Sequence, residues 1–227
     1  MRQNLSEKFR HPEDIDRLLA TIADRTTSVE DYRASFYSIG QELGLYFKEH
    51  LPVNFNKSTL LACASEDADW LANGFINGIG EPTLPLAVFW AIRKKLSNGV
   101  DISSIIRMYK DDLVSECENL IIIKSIISSS CVVKTQLLRL ISDVNPSTIY
   151  IVAPVMYKDA RNNLHREFPS EISSKFKFVS FAIDDEINEN NEIIPGIGGM
   201  VYPRLGLGNN EHEKNSYIPN IIKTRIQ

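Results

Sequence analysis

The sequence lacks the ingredients of a metal centre, a disulfide framework and a membrane span. Its three cysteines, Cys63, Cys117 and Cys131, are an odd number without metal-ligand spacing, which suits reduced thiols. The four histidines, His11, His50, His165 and His212, are scattered, none with a second ligand at helical spacing, so no metal site is built from them. No uncharged apolar run approaches membrane-spanning length, and the opening MRQNLSEKFRHPED lacks the apolar core of a signal peptide. A cytosolic protein is therefore expected, without a membrane role. Positive charge is not in surplus either: the formal net charge is -4 and the pI about 5.6. That argues against broad binding to nucleic acid, and no direct sequence-specific contact with it is expected. Internal repeats, long low-complexity linkers and a Gly-rich phosphate loop followed by Lys-Ser/Thr are also missing.

What is present is ample for a core: 227 residues, 43% hydrophobic and 24% charged. Leu120–Ile123 is a bare apolar run, too short for a buried helix, and reads as a strand covered on both faces. From Val133 the apolar residues Leu137, Leu140, Ile141 and Val144 keep helical spacing. Ser128, Ser129, Ser130 and Cys131 then occupy a strand-to-helix turn, where free N–H groups and the helix dipole suit a phosphate or carboxylate. A plainer account has one serine capping the helix and the others making a tight turn.

Earlier in the chain, Pro12–Ala23 reads as a helix, and the Thr27/Glu30 pair as a capping box for a second one running to the Leu51-Pro52 stop. Thr59–Ala64 and Leu84–Trp90 read as buried strands and Ile105–Lys110 as a more exposed one, with the basic cluster Arg93, Lys94 and Lys95 between the last two. Thr148–Val155 and Lys177–Ile183 are further strands, separated by a helix from Lys158. Such alternation predicts an α/β fold with a mostly parallel central sheet flanked by helices, a helical segment over 1–52 and an α/β domain over 53–227 with a C-terminal hood. Glu66, Asp67 and Asp69 follow the first of these strands and either cap a helix or face a ligand. Glycines at 196, 198 and 199 would let backbone approach a flat ligand.

This order of pieces resembles the type I phosphoribosyltransferases, closest to the uracil phosphoribosyltransferases, from about Tyr32 to Gly206. The family's "DPMLATGGS" strand and phosphate loop is matched by Ile121–Val132, its "YxKLP" by Tyr109–Leu113, and its "D..LN..GYIVPGLGD" by Asp184–Gly199, in which Asn191 to Gly199 fall on "GYIVPGLGD". The resemblance implies phosphoribosyl pyrophosphate (PRPP) or a pyrimidine nucleotide as ligand. Its phosphate would lie on Ser128, Ser129, Ser130 and Cys131, and its base on backbone at Ile194, Gly196, Gly198 and Gly199. Lys124 stands where the family has a ribose-binding aspartate, Gly199 replaces the aspartate of "GLGD", and Ser65-Glu66-Asp67 replaces an Arg-bearing pyrophosphate loop. Either Lys124 neutralises phosphates in place of Mg²⁺ while Glu66, Asp67, Asp69 or Asp184 serve the sugar, or the fold is kept for binding alone. A plainer role for Lys124 is a salt bridge to Asp184 or Asp67. Arg93, Tyr202 and Arg204 complete the candidates for sugar or pyrophosphate contacts. No cofactor beyond Mg²⁺ comes into question. Expected partners are PRPP or a nucleotide, and a second copy or a larger assembly. Divergent proteins of this fold also resemble sensor or effector subunits of bacterial conflict cassettes, including retron-type phage defence.

Overall fold

The structure is a computed structural model that describes residues 1–51, 55, 58–95, 101–112, 117–128, 131–190 and 192–226. Pro52, Leu113, Ser129, Ser130 and Asn191, all named above, lie outside these residues, as does the side chain of Lys95. The chain opens with a strand not anticipated from sequence, β1 (Arg2–Asn4), followed by helices α1 (Pro12–Ala23) and α2 (Val29–His50). Pro12 begins α1, where its missing N–H leaves no helical bond unmade, and Glu13 and Asp14 suit the dipole. The cap of α2 is one residue later than the Thr27/Glu30 pair predicts: the Ser28 hydroxyl accepts from the Asp31 N–H at 3.1 Å and donates to the Asp31 carboxylate at 2.8 Å.

Strand β2 (Thr59–Ala64) runs without a loop into α3 (Ser65–Asp67), a π turn (Ala68–Ala72) and α4 (Asn73–Ile79). Strands β3 (Leu86–Lys95) and β4 (Asp101–Lys110) then form an antiparallel pair longer than predicted, so Arg93 and Lys94 lie on β3 rather than between strands. Next come β5 (Asn119–Ile123), β6 (Ile126–Ile127) and α5 (Cys131–Val144). After them follow β7 (Thr148–Val152), β8 (Val155–Tyr157), α6 (Ala160–Arg166), α7 (Ser170–Ser173), β9 (Phe176–Val179) and β10 (Ala182–Asp184). The hairpin β11 (Glu186–Ile187) and β12 (Ile193–Ile194) leads to the short helices α8 (Val201–Arg204), α9 (Glu211–Ser216) and α10 (Asn220–Arg225).

The fold is a mixed α/β architecture with a largely parallel central sheet, in the order β4-β3-β2-β5-β7-β9 with only β4 antiparallel, flanked by helices. Leu61, Cys63, Ile121, Ile123 and Val152 face the core built with α1, α2 and α4, while Leu60, Ala62, Leu120, Ile122 and Ile151 face the one built with α5. Both faces are dry, which is why these strands read as unbroken apolar runs. Among the described residues, no helix is long and apolar enough to cross a membrane.

Two of the predicted strands are in fact broken in the middle. β7 and β8, and likewise β9 and β10, belong to different sheets, and β5 and β6 repeat the pattern; the second sheet has the order β1-β10-β8-β6. Each break shifts the alternation by one residue: Val152 and then Val155 face the first core, as do Ile123 and then Ile126. The breaks gather at the C-terminal ends of the parallel strands, and the one between β5 and β6, at Lys124 and Ser125, borders the site.

Helices α2 and α4 cross with their backbones in contact. A Cβ at Gly74 would lie 2.1 Å from the Tyr37 carbonyl oxygen, and one at Gly44 2.3 Å from that of Phe75. Gly40 and Gly78 complete the same seam, so glycine here provides closeness rather than flexibility.

Candidate functional site

A cavity of about 200 Å³ lies at the C-terminal ends of β2 and β5, as open parallel sheets lead one to expect. Its floor comes from two chain reversals. β2 ends at Ala64 and α3 brings round Glu66 and Asp67, both buried; β5 ends at Ile123, and Lys124, also buried, leaves the ladder after its N–H meets the Val152 carbonyl at 2.9 Å. The Lys124 ammonium donates to Asp67 Oδ2 at 2.9 Å and Glu66 Oε1 at 3.3 Å, while Asp67 Oδ1 accepts from the Ser125 N–H at 3.2 Å. This is the salt bridge foreseen for Asp67, doubled by Glu66. Asp184 takes no part in it.

Burial works against the charge on Lys124, but the two carboxylates outweigh it and its pKa is raised. Burial, with the Glu66 charge beside it, raises the Asp67 carboxyl more than Lys124 and the Ser125 hydrogen bond lower it. In Glu66 the opposite balance holds, since Lys124 and Lys214 together keep it below its usual value despite burial. One ammonium is shared by two carboxyl groups, so Lys124 is not a free cation awaiting phosphate. Mg²⁺ does not fit either: the two acids that would ligate it converge on Lys124, and no group of three metal-ligating side chains gathers among the described residues.

Around this floor stand Ser128, Val132 and Val133 on the side of α5, Ala91, Arg93 and Ser103 from β3 and β4, and Glu211 and Lys214 from α9. Ile193, Ile197 and Gly199–Tyr202 form the hood. Of the predicted site residues, Lys124, Glu66, Arg93, Ser128, Gly199 and Tyr202 thus meet at the cavity, with Asp67 directly behind Lys124. Cys131 is half-buried at the start of α5 and does not line it.

Other candidates build the walls instead. Asp184, fully buried, accepts two bonds from the Arg2 guanidinium and one from the Gly196 N–H, each at 2.8 Å. Gly196 (φ +58°) and Gly198 (φ +74°) take left-handed conformations; Gly196 O accepts from Arg2, and Gly198 packs on the Ile22 carbonyl. Ile194 is exposed. Asp69 accepts from the Tyr217 hydroxyl and from the Asn220 and Ile221 N–H groups at 2.8 and 2.9 Å, and so fastens the C-terminal strap. Arg204 caps the α1–α2 turn through the Asp24, Arg25 and Thr27 carbonyls and lies over the Tyr32 ring at 4.5 Å. Ser103, Ser125, Glu192, Glu211 and Lys214 were not anticipated. The last two sit in the polar tail EHEKNS, which has no hydrophobic period to place it.

No protein-family model and no curated protein matches the chain. Among solved structures, the AQ2163 protein from Aquifex aeolicus superposes with a TM-score of 0.67 at 14% identity, over 86% of this chain and 95% of that one. A Neisseria gonorrhoeae protein with bound ppGpp superposes with a TM-score of 0.44 at 10% identity, over 68% of this chain and 83% of that one. Adenine phosphoribosyltransferase from Thermoanaerobacter pseudethanolicus gives a TM-score of 0.42 at 13% identity, over 68% and 83% of the two chains. The likeness to the Aquifex protein is one of fold.

Proposed function

We propose that the cavity binds a 5-phosphoribosyl compound, a pyrimidine nucleotide or PRPP, and holds it without transferring the ribosyl group. The observation that supports this reading is the meeting of Ser128, the Glu66–Lys124 pair and the hood segment Gly199–Tyr202 around one cavity. The phosphate lies beside Ser128 at the turn into α5, where N–H groups and the helix dipole favour an anion. Ribose hydroxyls donate to the Glu66 carboxylate. A departing pyrophosphate would need cations, yet the segment likened to the pyrophosphate loop supplies Glu66 and Asp67, and the Lys124 ammonium beside them is already shared by both. Repulsion there disfavours PRPP relative to a monophosphate.

Titration calorimetry with ribose 5-phosphate, UMP and PRPP tests the reading. The monophosphates should bind, and PRPP should bind no more tightly with Mg²⁺ than without. Ser128→Asp, which sets a like charge against the phosphate, should abolish binding at unchanged melting temperature. Failure of all three compounds to bind would refute the proposal, and release of pyrophosphate from PRPP together with formation of a nucleotide from an added base would restore the transferase reading.

A further inference from the structure

The edge of the central sheet opposite β4 carries a surface that the cavity does not use. β9 is the outermost strand there, and its half-buried Phe178 meets two exposed side chains of α6. The Arg161 guanidinium lies over the Phe178 ring at 5.4 Å from its centroid, and the His165 ring stands 5.6 Å from Phe178 and 5.5 Å from Phe176. Being four residues apart, Arg161 and His165 share one face of the helix, with exposed Lys158 just before it and exposed Arg166 on the neighbouring row. Residues 158–178 hold five lysines and arginines against three acids, in a chain whose net charge is -4. One of those acids, Glu167, is taken by Lys134 at 2.7 Å, and among the described residues Lys158, Arg161 and Arg166 have no ion-pair partner. Local stability does not account for this arrangement. The helix dipole favours cations in the last turn, where His165 and Arg166 sit, but disfavours one in the first, where Arg161 sits. Burial also draws the Arg161 pKa down, so the guanidinium is a partly desolvated cation that lacks a counter-ion.

We infer that this surface binds single-stranded nucleic acid, with bases stacked on the outward planes of the Arg161 guanidinium and the His165 imidazole and phosphates beside Lys158 and Arg166. A guanidinium backed by a ring is flat as well as charged, and an unpaired nucleotide uses both properties, the base the plane and the phosphate the charge. An acidic peptide would use the charge only. A duplex keeps its base planes stacked inside and presents phosphates alone. Base planes and phosphates are common to RNA and DNA and to every sequence, so the surface reads no sequence and distinguishes the two backbones little. With so few cations the binding is weak and salt-dependent, in keeping with a chain whose total charge gives it no broad hold on nucleic acid. None of these residues lines the cavity, so the inference is independent of the nucleotide reading above.

Fluorescence anisotropy of the full chain at low salt tests this with dye-labelled oligo-uridine and oligo-deoxyuridine of about twelve nucleotides, an abasic strand of the same length and polyglutamate. The two oligonucleotides should bind alike and the abasic strand roughly tenfold more weakly, because it has no bases to stack. The logarithm of affinity should fall against that of salt with a slope of about -2, the value for about three phosphates on a single strand. His165→Ala should weaken the oligonucleotides roughly tenfold and the abasic strand little, whereas Lys158→Gln/Arg166→Gln should weaken both. All three residues are exposed, so the melting temperature should not move. Absence of binding at low salt would overturn the inference, as would an abasic strand bound as tightly as the oligonucleotides. Polyglutamate bound as tightly would make this a surface for an acidic protein instead. Loss of oligonucleotide binding in Ser128→Asp would place the strand in the cavity and overturn the surface. The abasic and polyglutamate arms need no variant, so the inference stays testable should a substitution fail to fold.

Discussion

Lys124 shows how much one residue's partners decide. Lys124→Met removes the cation and leaves two buried carboxylates facing each other, so the variant should lose about 3 to 5 kcal/mol, read as a sharply lowered melting temperature. Lys124→Met/Asp67→Asn should recover a large part of it. The sign of the pH dependence follows. In wild type, the lowered Glu66 pKa contributes stability present above about 4.5 and lost as pH falls, while the raised Asp67 pKa works oppositely, so the two partly cancel. In Lys124→Met burial raises both acids with only Lys214 left to oppose it at Glu66, and the variant should become more stable as pH falls from 8 towards 5, as thermal unfolding at several pH values will show. A melting temperature unchanged by Lys124→Met would mean that the triad carries no structural weight. The cysteines offer an independent check. Cys63 is fully buried, and burial pushes its thiol pKa well up and that of Cys117 up to about 11. Brief alkylation of native protein should therefore label half-buried Cys131 first, and mass spectrometry showing Cys63 ahead of it would contradict the packing described here.

Elements differ in how far sequence reveals them. α1, β2, β5 and α5 were legible because their apolar spacing is local and continuous. The interruptions of the later strands were not, since Ala153-Pro154 and Ser180-Phe181 sit within apolar runs, and burial on both faces conceals a one-residue change of phase. β1 escaped notice because polar Arg2–Asn4 is a strand only through its non-local pairing with β10 and the Arg2–Asp184 ion pair. Arg2→Ala should therefore act at a distance, freeing the Gly196 turn that Arg2 and Asp184 hold together. Its signature is faster amide exchange from Glu192 to Tyr202 and weaker UMP binding; unaltered exchange would show that β1 is dispensable to the hood. The α2–α4 seam is more demanding still. Gly74→Ala sets a Cβ into the Tyr37 carbonyl, which only a shift of the whole helix relieves, and should cost about 1 to 3 kcal/mol or more, measurable by urea unfolding.

At the scale of the molecule, the cavity is held from both ends of the chain. The hood rests on the α1–α2 turn through the Tyr32 hydroxyl, which donates to the Ile197 carbonyl at 2.8 Å, and through Arg204. The strap that presents Lys214 returns to Asp69, just beyond the acids of the floor. The sequence disclosed the floor, because strand ends and acids are local features, but it concealed the α9 wall, whose residues reach the cavity only by this long return. Asp69→Ala should release the strap, so that amides from Tyr217 to Arg225 exchange faster while those of β5 and β7 do not. Equal protection in variant and wild type would show that Asp69 is not the clasp. The π turn between the acids and the glycine seam has a consequence of another kind. Glu66 and Asp67 must meet Lys124 while Gly74 and Gly78 must meet α2, and one residue along a helix is a rotation of about 100°. The π turn is the surplus residue that lets both meetings occur on one rod. Chain length here is therefore as constrained as residue identity: deleting any one residue within Ala68–Ala72 would straighten the helix and swing Glu66 and Asp67 off Lys124, so related chains with this floor should carry neither insertions nor deletions between Ser65 and Gly78.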